Sequence, residues 1–275
     1  MIRSSFLAIL PPMTSASREW DSSAYHRLSG PQLSWGKKVL ARVHLRGDET
    51  LLDAGCGSGR LTGELLEALP HGRVVGVDLS QNMLRTAREH LATRFGDRAL
   101  WVAADLQDLP FVRAFDGIFS TAAFHWVLDH DKLFRSLYGA LRPRGWLRAQ
   151  CGGGPNLERL RKRTAVLAAS PKYAPFLGGY AEPWTYSDAG TAAERLRRAG
   201  FVAVDTGLEP ALTVLEDAGK YSEFVRTVIL HRHLERIPDA RLRGEFLAEL
   251  TRQAAADDPP YSLDYWRLNL SGDVP

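Results

Sequence analysis

Cysteine, net charge and long apolar runs are all scarce in this sequence of 275 residues. Its two cysteines are too few for a disulfide framework in a chain of this length, and they lack the clustering of a zinc site. Lys and Arg number 35 against 32 Asp and Glu, and the net charge of +3 does not by itself indicate a nucleic-acid binder. The composition, 45% apolar and 24% charged, excludes a disordered, collagen-like or membrane-spanning chain. We therefore expect a cytoplasmic protein with one elaborated domain or two compact ones.

The start of the chain lacks the features of a secretory leader. The apolar run at residues 6–10 is too short, and no small-residue cleavage site follows it. A second methionine, Met13, opens a polar stretch that would serve equally well as a start. We interpret residues 1–18 as a flexible leader and residues 19–275 as a single domain.

Between residues 50 and 150, short apolar runs alternate with amphipathic helices. The runs begin at Thr50, Arg73, Leu100, Phe115 and Trp146. Strands that alternate with helices in this way indicate parallel βαβ units with right-handed crossovers, and therefore a doubly wound α/β sheet. No internal repeat or low-complexity tract interrupts the pattern.

The second half of the chain is more mixed. Strands are expected at residues 201–205 and 263–270, and the helical stretch between them, residues 216–256, is long for a connection within one sheet. We interpret this stretch as part of a lid. The predicted divisions are a core at 19–155, lid insertions at 156–187 and 215–260, and a last strand at 261–271.

A glycine-rich turn follows the first predicted strand and opens a helix. Its sequence, Asp53-Ala-Gly-Cys-Gly-Ser-Gly59, lets the backbone turn sharply and approach a ligand, and free N–H groups at the helix start favour anionic or polar ligand atoms. The nicotinamide and flavin fingerprint would need glycine at position 60, which is Arg60. The turn therefore favours a ligand other than a dinucleotide, and Asp53 is suited to hold an ammonium group.

Three of the predicted strands end in an aspartate. Asp53, Asp78 and Asp105 all fall at the carboxyl ends of strands, where open α/β sheets bind ligands. Asp78 can accept both hydroxyls of a ribose, and Asp105 can receive the exocyclic amino group of an adenine. The alternative for each aspartate is a helix cap. Three of them beside a glycine loop favour a ligand site.

These motifs resemble those of the class I S-adenosylmethionine-dependent methyltransferases, and among them the small-molecule enzymes of the trans-aconitate methyltransferase-like group. The matching segments are residues 53–59, Gly76-Val-Asp-Leu-Ser-Gln-Asn-Met83, Ala104-Asp-Leu106 and Phe115-Asp-Gly-Ile-Phe-Ser120. The resemblance covers residues 20–155 well and the remainder in layout. It implies S-adenosylmethionine as the cofactor. It also implies a seven-stranded, mostly parallel, Rossmann-like methyltransferase sheet with an antiparallel last strand and a helical substrate lid.

The resemblance implies cofactor contacts at the residues that match its motifs. They are Tyr25, Asp53, Gly55, Cys56, Gly57, Gly59, Asp78, Leu79, Met83, Asp105, Leu106 and Ser120. The glycine loop would contact the methionine end, Asp78 the ribose, and the residues from Leu79 onward the adenine. Tyr25 belongs to a segment, residues 25–36, similar to those that fold over the cofactor, and Gln32 and Trp35 are further candidates there. No metal site is expected.

Methyl transfer from a sulfonium requires alignment and exclusion of water rather than a covalent residue. A carboxylate acceptor is ionised at pH 7 and needs only positioning by Arg or Tyr, whereas a hydroxyl or a carbon acid also needs a general base. His125, just after the fourth strand, is the candidate for that base or for contact with the substrate. The alternative is a histidine that bonds to the backbone and packs beside Trp126.

Several other features have simpler explanations than a ligand site. The basic run Arg159-Leu-Arg-Lys-Arg163 suggests RNA binding, but no aromatic platform accompanies it, and a solvated helix face is expected. The segment Asp258-Pro-Pro-Tyr261 resembles a motif that amino-methylating enzymes carry after their fourth strand; here it comes too late and is expected to be a turn. His231 and His233 point to different helix faces, which disfavours a metal pair. His130 is expected at the surface or as a cap.

Aromatic and basic residues of the second half are open to two interpretations. Trp184, Tyr186, Tyr261, Tyr265 and Trp266 could line an acceptor pocket or pack in the core, and Arg226 and Arg232 could bind an acidic substrate or lie on exposed helix faces.

We predict an enzyme that transfers a methyl group from S-adenosylmethionine to a small-molecule acceptor, at a carboxylate or hydroxyl oxygen. No nucleic-acid or membrane partner is expected, and the oligomeric state is left open. The alternatives are a non-catalytic S-adenosylmethionine-binding protein and an NAD-dependent oxidoreductase. Charge and the lack of a recognition domain disfavour an RNA methyltransferase.

Overall fold

The structure, a computed structural model, describes residues 19–275 apart from the side chains of residues 23–25. The predicted leader at residues 1–18 lies outside the described residues. Within them the strands are β1 (Thr50–Ala54), β2 (Arg73–Asp78), β3 (Ala99–Ala103), β4 (Phe115–Thr121), β5 (Leu141–Gly152), β6 (Val202–Pro210), β7 (Thr213–Val214), β8 (Ser262–Leu263) and β9 (Trp266–Asp273).

Helices connect most of these strands. They are α1 (Ser22–Leu28), α2 (Gly30–Leu40), α3 (Arg60–Ala68), α4 (Gln81–Phe95), α5 (His130–Ala140), α6 (Glu158–Ala168), α7 (Ala174–Leu177), α8 (Ala189–Ala199), α9 (Ala218–Phe224), α10 (His231–Glu235) and α11 (Ala240–Ala254). Short 3-10 turns cover Gly96–Arg98 and Phe124–Trp126, and a π-helical turn covers Val225–Ile229. None of the helices formed by residues 19–275 is long and apolar enough to cross a membrane.

Among the described residues, seven strands form one sheet in the order β3-β2-β1-β4-β5-β9-β6. β1 to β5 pair in parallel, and β9 runs antiparallel between β5 and β6. The predicted doubly wound, mostly parallel fold is therefore confirmed, including the antiparallel last strand.

The predicted bounds of three strands are wrong. β5 covers Leu141–Gly152 rather than beginning at Trp146, β6 covers Val202–Pro210 rather than 201–205, and the last strand covers Trp266–Asp273 rather than 261–271. Pairing across the sheet sets these ends, since Gly152 lies opposite Arg267 in the β5–β9 register. Local apolar patterning does not reveal where a partner strand begins.

The sheet is covered by helices on both faces. On one face, Leu137 of α5 and Leu196 of α8 belong to the same buried cluster as Ile118 of β4. On the other face, Leu65 of α3 clusters with Phe119 of β4. β4 therefore buries both of its faces, which explains why the central strands appear in the sequence as continuous apolar runs rather than alternating ones.

Side chains cap the first turns of two helices. The Ser80 hydroxyl accepts a hydrogen bond from the Met83 N–H at 3.2 Å at the start of α4. The Asp188 carboxylate accepts one from the Thr191 N–H at 2.8 Å at the start of α8. Both side chains satisfy N–H groups that a helix leaves unpaired at its first turn.

A third hydrophobic cluster lies in the cap, which we define as α6, α7 and α9 to α11. Phe224 and Phe246 are buried at its centre. The helical stretch predicted over residues 216–256 is divided into α9, the π-helical turn, α10 and α11. Pro238 and the capping carboxylate of Asp239 explain the break before α11.

The sequence predicts a solvated face for the basic run on α6, and for its arginines that prediction is wrong. Arg163 donates two hydrogen bonds to the Asp257 carboxylate, at 3.0 and 2.6 Å, and Arg159 lies 3.4 Å from the same group. These arginines therefore tie α6 to the chain that follows α11, across a separation that sequence spacing does not reveal. The segment Asp258–Tyr261 that comes next is a turn before β8, as predicted.

Candidate functional site

The glycine loop between β1 and α3 leaves room for a ligand beside its backbone. Gly55 has φ +79°, and a Cβ added there would lie 2.2 Å from the Ala123 Cβ, so only glycine fits. Gly57 has φ +53°, and an added Cβ would meet nothing within 4 Å. The loop is therefore packed tightly against the end of β4 at Gly55 and open at Gly57.

The remaining loop residues support this arrangement. The Gly55 and Cys56 N–H groups both donate to the Val77 carbonyl of β2, at 2.8 and 3.0 Å. Gly59 precedes α3, where an added Cβ would approach Ala87 of α4 to 2.9 Å. The hydrogen bonds hold the loop against β2, and the absence of a side chain at Gly59 lets the start of α3 lie close to α4.

Asp53, the last but one residue of β1, is a buried carboxylate with a perturbed pKa. Its Oδ2 accepts a hydrogen bond from the Thr62 hydroxyl at 2.6 Å. Burial, with a smaller contribution from the charge of Asp78, raises the pKa of Asp53 to about 7. A buried carboxylate on the wall of a cleft is suited to a cationic ligand, whose charge would restore its ionised form.

Asp78, at the end of β2, links the glycine loop to α4. Its Oδ2 accepts from the Gly57 N–H and its Oδ1 from the Ser80 N–H, both at 2.9 Å. Burial raises the pKa of Asp78, and these backbone hydrogen bonds oppose that shift. The carboxylate is held in a fixed place at the carboxyl edge of the sheet.

A strap formed by residues 19–29, here called the N-terminal strap, lies across the loop and the start of α4. The Glu19 carboxylate accepts hydrogen bonds from the Ser80 hydroxyl at 2.9 Å and from the Asn82 N–H at 3.1 Å. His26 Nδ1 lies 2.9 Å from the hydroxyl of Ser58 in the loop. The side chain of Tyr25, the residue predicted in this segment, lies outside the described part of the structure.

Arg60 explains why the loop departs from the dinucleotide fingerprint. Its guanidinium donates to the His26 carbonyl at 3.0 Å and to the Ser29 hydroxyl at 3.3 Å. The position that a nicotinamide fold fills with glycine therefore anchors the N-terminal strap. Neither this role nor that of Glu19 could be found from the sequence, because both depend on where the strap crosses the sheet edge.

The residues predicted around an adenine lie at the ends of β2 and β3. Met83 and Leu106 are buried, and Leu79 is half-buried. The Asp105 carboxylate accepts hydrogen bonds from the backbone N–H of Gln107 at 2.9 Å and from its amide. Asp105 therefore also closes its own turn, and it is not the helix cap of the alternative interpretation, since the described residues between β3 and β4 form no helix.

At the end of β4 the residue that faces the loop differs from the predicted one. The Ser120 hydroxyl is buried and donates to the Ala54 carbonyl at 2.6 Å, which ties β4 to β1. Thr121 and Ala122 line the cleft instead. Ala122 has φ +56°, a left-handed conformation that is costly for alanine and turns the chain sharply at this point.

Two adjoining cavities lie above this edge of the sheet. The glycine-loop cleft, about 450 Å³ with its open mouth, is lined by Ser29, Gln32, Leu33, Asp53, Gly55, Cys56, Gly57, Ser58, Arg60, Leu61, Thr121 and Ala122. The aromatic pocket, about 400 Å³, is lined by Trp20, Gln32, Ala122, His125, Trp126, Asn156, Leu157, Trp184, Tyr186, Val228, Ile229, Tyr265 and Arg267. Gln32 and Ala122 line both cavities. Ligands bound in the glycine-loop cleft and in the aromatic pocket would therefore meet beside these two residues.

Gln32, one of the candidates in the N-terminal segment, sits at this junction on α2. Its Oε1 is buried and has no hydrogen-bond partner among the described residues. A buried oxygen without a partner is uncommon in proteins and points to a group that the cavities would receive.

The aromatic pocket is built from distant parts of the chain. Trp184 and Tyr186 stack with ring centroids 5.8 Å apart, and Trp126 meets Trp184 edge to face, also at 5.8 Å. Trp20 of the N-terminal strap packs against Trp126 at 5.3 Å. Of the aromatics with two interpretations, Trp184, Tyr186 and Tyr265 line the pocket, whereas Tyr261 packs against Tyr221 in the cap.

Arg267 of β9 brings a buried positive charge to this pocket. Its side chain is only 2% exposed, lies 4.5 Å over the Trp35 ring, and donates through Nε to the Gln150 amide oxygen at 3.4 Å. Sequence reasoning overlooked Arg267 and considered Arg226 and Arg232 instead. A single arginine in a predicted strand carries no signal that it faces a cavity.

His125 lies in the 3-10 turn after β4, and its ring lines the aromatic pocket. Its Nδ1 accepts a hydrogen bond from the Gly152 N–H of β5 at 3.3 Å. Burial, followed by the charge of Arg267, holds the pKa of His125 well below its usual range. The ring is therefore neutral near pH 7. His130, expected at the surface, is buried instead and bonds to the Phe124 carbonyl at 3.0 Å.

The surroundings of both cysteines disfavour a thiolate. Cys56 and Cys151 are free and buried, and burial raises the pKa of both thiols, to about 12 for Cys151. Among residues 19–275, no group of His, Cys, Asp and Glu side chains could hold a metal ion.

Comparisons with known sequences agree on one kind of enzyme. A family model described as a methyltransferase domain matches residues 51–145. A trans-aconitate 2-methyltransferase from Azoarcus sp. strain BH72 is 33% identical over 249 residues, which are 88% of this chain and 90% of the relative. A second, from Variovorax paradoxus strain S110, is 32% identical over 250 residues, 86% of this chain and 88% of the relative.

Solved structures share the fold at low identity. One is the phosphoethanolamine N-methyltransferase 2 of Haemonchus contortus in complex with S-adenosyl-L-methionine, with a TM-score of 0.61 and 19% identity. The match covers 92% of this chain and 56% of the Haemonchus chain. The [4+2]-cyclase SpnF has a TM-score of 0.57 and 18% identity, and covers 88% of this chain and 80% of its own. At these identities the likeness concerns the fold alone.

The raised pKa of Asp53 predicts a stabilising substitution. An aspartate whose pKa is higher in the folded state costs stability once the unfolded chain ionises, so the cost grows from about pH 4 and is complete above about pH 7. We expect Asp53→Asn to stabilise the ligand-free protein by about 2 kcal/mol at pH 8 and by much less at pH 5. Urea unfolding at the two pH values measures this, with exposed Asp97→Asn as the control. A variant less stable than the wild type at pH 8 would contradict the assignment.

Proposed function

Because this chain belongs to the class I S-adenosylmethionine-dependent methyltransferases, in the trans-aconitate methyltransferase-like group, we propose that its acceptor is a small polycarboxylic acid of the trans-aconitate type, methylated on a carboxylate oxygen. The chain transfers a methyl group from S-adenosylmethionine to a small-molecule acceptor. The choice of a carboxylate is supported by the buried guanidinium of Arg267 in the pocket that adjoins the cofactor cleft.

The glycine-loop cleft suits the methionine end of the cofactor. When bound, S-adenosylmethionine supplies an electrophilic methyl group on a positively charged sulfur. Asp53 would hold the ammonium group, because it is a buried carboxylate on the wall of the cleft. Gly57 would let the ligand approach the backbone, since the space where a side chain would stand is open. Gly55, Cys56 and Gly59 would shape this loop around the ligand.

The ends of β2 and β3 suit the nucleoside end. Asp78 would accept the ribose hydroxyls from the place where Gly57 and Ser80 already hold it. Leu79, Met83 and Leu106 would form the apolar walls around the adenine, and Asp105 would receive its amino group beside the bonds to Gln107. At the end of β4 we propose Thr121 rather than Ser120, because the Ser120 hydroxyl is already bonded to Ala54.

On the acceptor side, Arg267 would recognise a carboxylate. A guanidinium presents paired N–H donors that match the two oxygens of a carboxylate, and burial strengthens the attraction. The pocket meets the cofactor cleft at Gln32 and Ala122, so an acid bound to Arg267 lies next to the methyl donor. The aromatic walls exclude water, which leaves the ionised oxygen less solvated and aligned for displacement.

Several features support a small-molecule substrate rather than a nucleic acid. Arg159 and Arg163, the basic run that suggested RNA binding, are engaged by Asp257. The aromatic pocket is a cavity of about 400 Å³, its mouth included, and is of a size that suits a small molecule. We also propose a cytoplasmic location, which agrees with two free buried cysteines.

Purified enzyme tested on a panel of acceptors decides the proposed function. We expect trans-aconitate and related di- and tricarboxylic acids to be converted to monomethyl esters, identified by mass spectrometry and by their lability to mild alkali. Monocarboxylic acids are the control for the second carboxylate. Phenols and amines are the control for the acceptor group itself. Methylation confined to phenols or amines would overturn the proposal.

Arg267 should govern affinity for the acid. We expect Arg267→Met to lower kcat/KM for the acid about 100-fold or more, and Arg267→Lys to lower it about 10-fold, because an ionised group loses its buried partner or its paired geometry. Arg226→Met, at an exposed position in the π-helical turn between α9 and α10, is the control. Binding of S-adenosylhomocysteine by calorimetry should stay unchanged in all three variants. Full activity of Arg267→Met would contradict this role.

Asp78 should govern affinity for the cofactor. We expect Asp78→Asn to weaken S-adenosylhomocysteine binding about 30-fold in calorimetry, since an amide cannot accept hydrogen bonds from both ribose hydroxyls as a carboxylate does. The control is Asp97→Asn, an exposed aspartate after α4. Undiminished binding by Asp78→Asn would refute the ribose assignment.

A further inference from the structure

The histidine of the aromatic pocket has one ring nitrogen already engaged. The Gly152 N–H of β5 donates to Nδ1 of His125 at 3.3 Å in a buried environment. A nitrogen that faces an N–H donor cannot carry a proton of its own without placing two hydrogens against each other. The neutral ring therefore carries its proton on Nε2.

The groups that face His125 keep the ring neutral. β9 contributes the positive charge of Arg267 and α5 contributes His130. The Tyr186 ring lies 5.8 Å away, and the Trp126 ring lies 5.2 Å away. Among the described residues, none of the groups that shift the pKa of His125 is a carboxylate, which would stabilise an imidazolium. Burial acts in the same direction as the arginine.

We propose that His125 is a hydrogen-bond donor that binds the acceptor carboxylate through its Nε2–H, together with Arg267, and that it is not the general base of the reaction. This assignment rests on the proposed function for the identity of the acceptor. His125 and Arg267 line the same pocket, so a carboxylate there can contact a guanidinium and a neutral N–H donor together.

The tautomer decides which acceptors can react. A base would have to take the acceptor proton at Nε2, which requires the ring hydrogen to move to Nδ1, against the Gly152 N–H. The acceptor must therefore arrive ionised, and its oxygen supplies the electron pair for the new bond while no proton passes to the protein. Carboxylic acids meet this condition at pH 7, whereas alcohols and phenols do not. His125 would thus contribute to selection of an acid.

Paired variants of His125 separate a donor from a base. The amide of His125→Gln can offer an N–H near the place of Nε2 but cannot take up a proton near pH 7, and His125→Leu can do neither. We expect kcat/KM for the acid to fall less than about 5-fold in the Gln variant and about 30-fold in the Leu variant, mainly through KM. Measurements at saturating S-adenosylmethionine remove the effect of Asp53 ionisation.

The pH profile provides the second distinction. We expect the plots of kcat against pH for the wild type and for His125→Gln to superimpose between pH 6 and 9. No rise or fall of kcat with pH in the wild type should disappear in the variant. If kcat of His125→Gln fell as far as that of His125→Leu, and a wild-type limb disappeared with it, His125 would be the base and the proposal would be overturned.

A measurement without any acceptor keeps this inference distinct from the proposed function. Long-range nitrogen–proton NMR of the ligand-free protein with labelled histidine should show an Nε2–H tautomer for the signals that vanish in His125→Gln. An Nδ1–H tautomer would overturn the inference whatever the acceptor panel gives. An Nε2–H tautomer with no acid methylated would overturn the proposed function and the carboxylate contact, and would confirm only that the ring is a donor.

Discussion

The two hydrogen bonds that Asp78 accepts, from the Gly57 N–H and the Ser80 N–H, connect the parts on which the cofactor site depends. One donor lies in the loop after β1 and the other at the start of α4, so a single carboxylate at the end of β2 sets the position of both. The N-terminal strap attaches to the same two places, through Glu19 at α4 and through His26 at the loop. Gly57, which these contacts hold in place, has open space where a side chain would stand.

The pocket beyond the cofactor cleft depends on a buried positive charge. Taking a guanidinium out of water is costly, and the contacts of Arg267 with the Trp35 ring and the Gln150 amide oxygen help to offset that cost. The cyclase SpnF has a similar fold, so the sheet does not by itself decide the reaction. The side chains that line the second pocket, above all Arg267 and His125, set which acceptor meets the methyl donor at Gln32 and Ala122.

Much of the fold and the cofactor half of the site could be predicted from local patterns. β1 to β4, the turn at Asp53 and the caps at Ser80 and Asp188 each have a signal within a few residues of their own position. The cap was less predictable. Its helices are amphipathic pieces whose ends depend on contacts such as Arg163 with Asp257, and those residues lie far apart in the chain. The N-terminal strap had a weak signal for the same reason, and Arg60 was visible only as a departure from a fingerprint.

The sequence by itself determined that three aspartates and a glycine loop would meet at one sheet edge, because parallel strands joined by right-handed crossovers bring their carboxyl ends together. It could not determine the acceptor pocket, whose walls come from the strap, the turn after β4, the segment before α8, the cap and β9. Only the tertiary structure decided that Arg267 faces a cavity and that the Gly152 N–H assigns the His125 tautomer. Both depend on pairings between β5 and β9 or between β5 and the turn after β4, and such pairings follow from packing of the whole chain rather than from spacing along it.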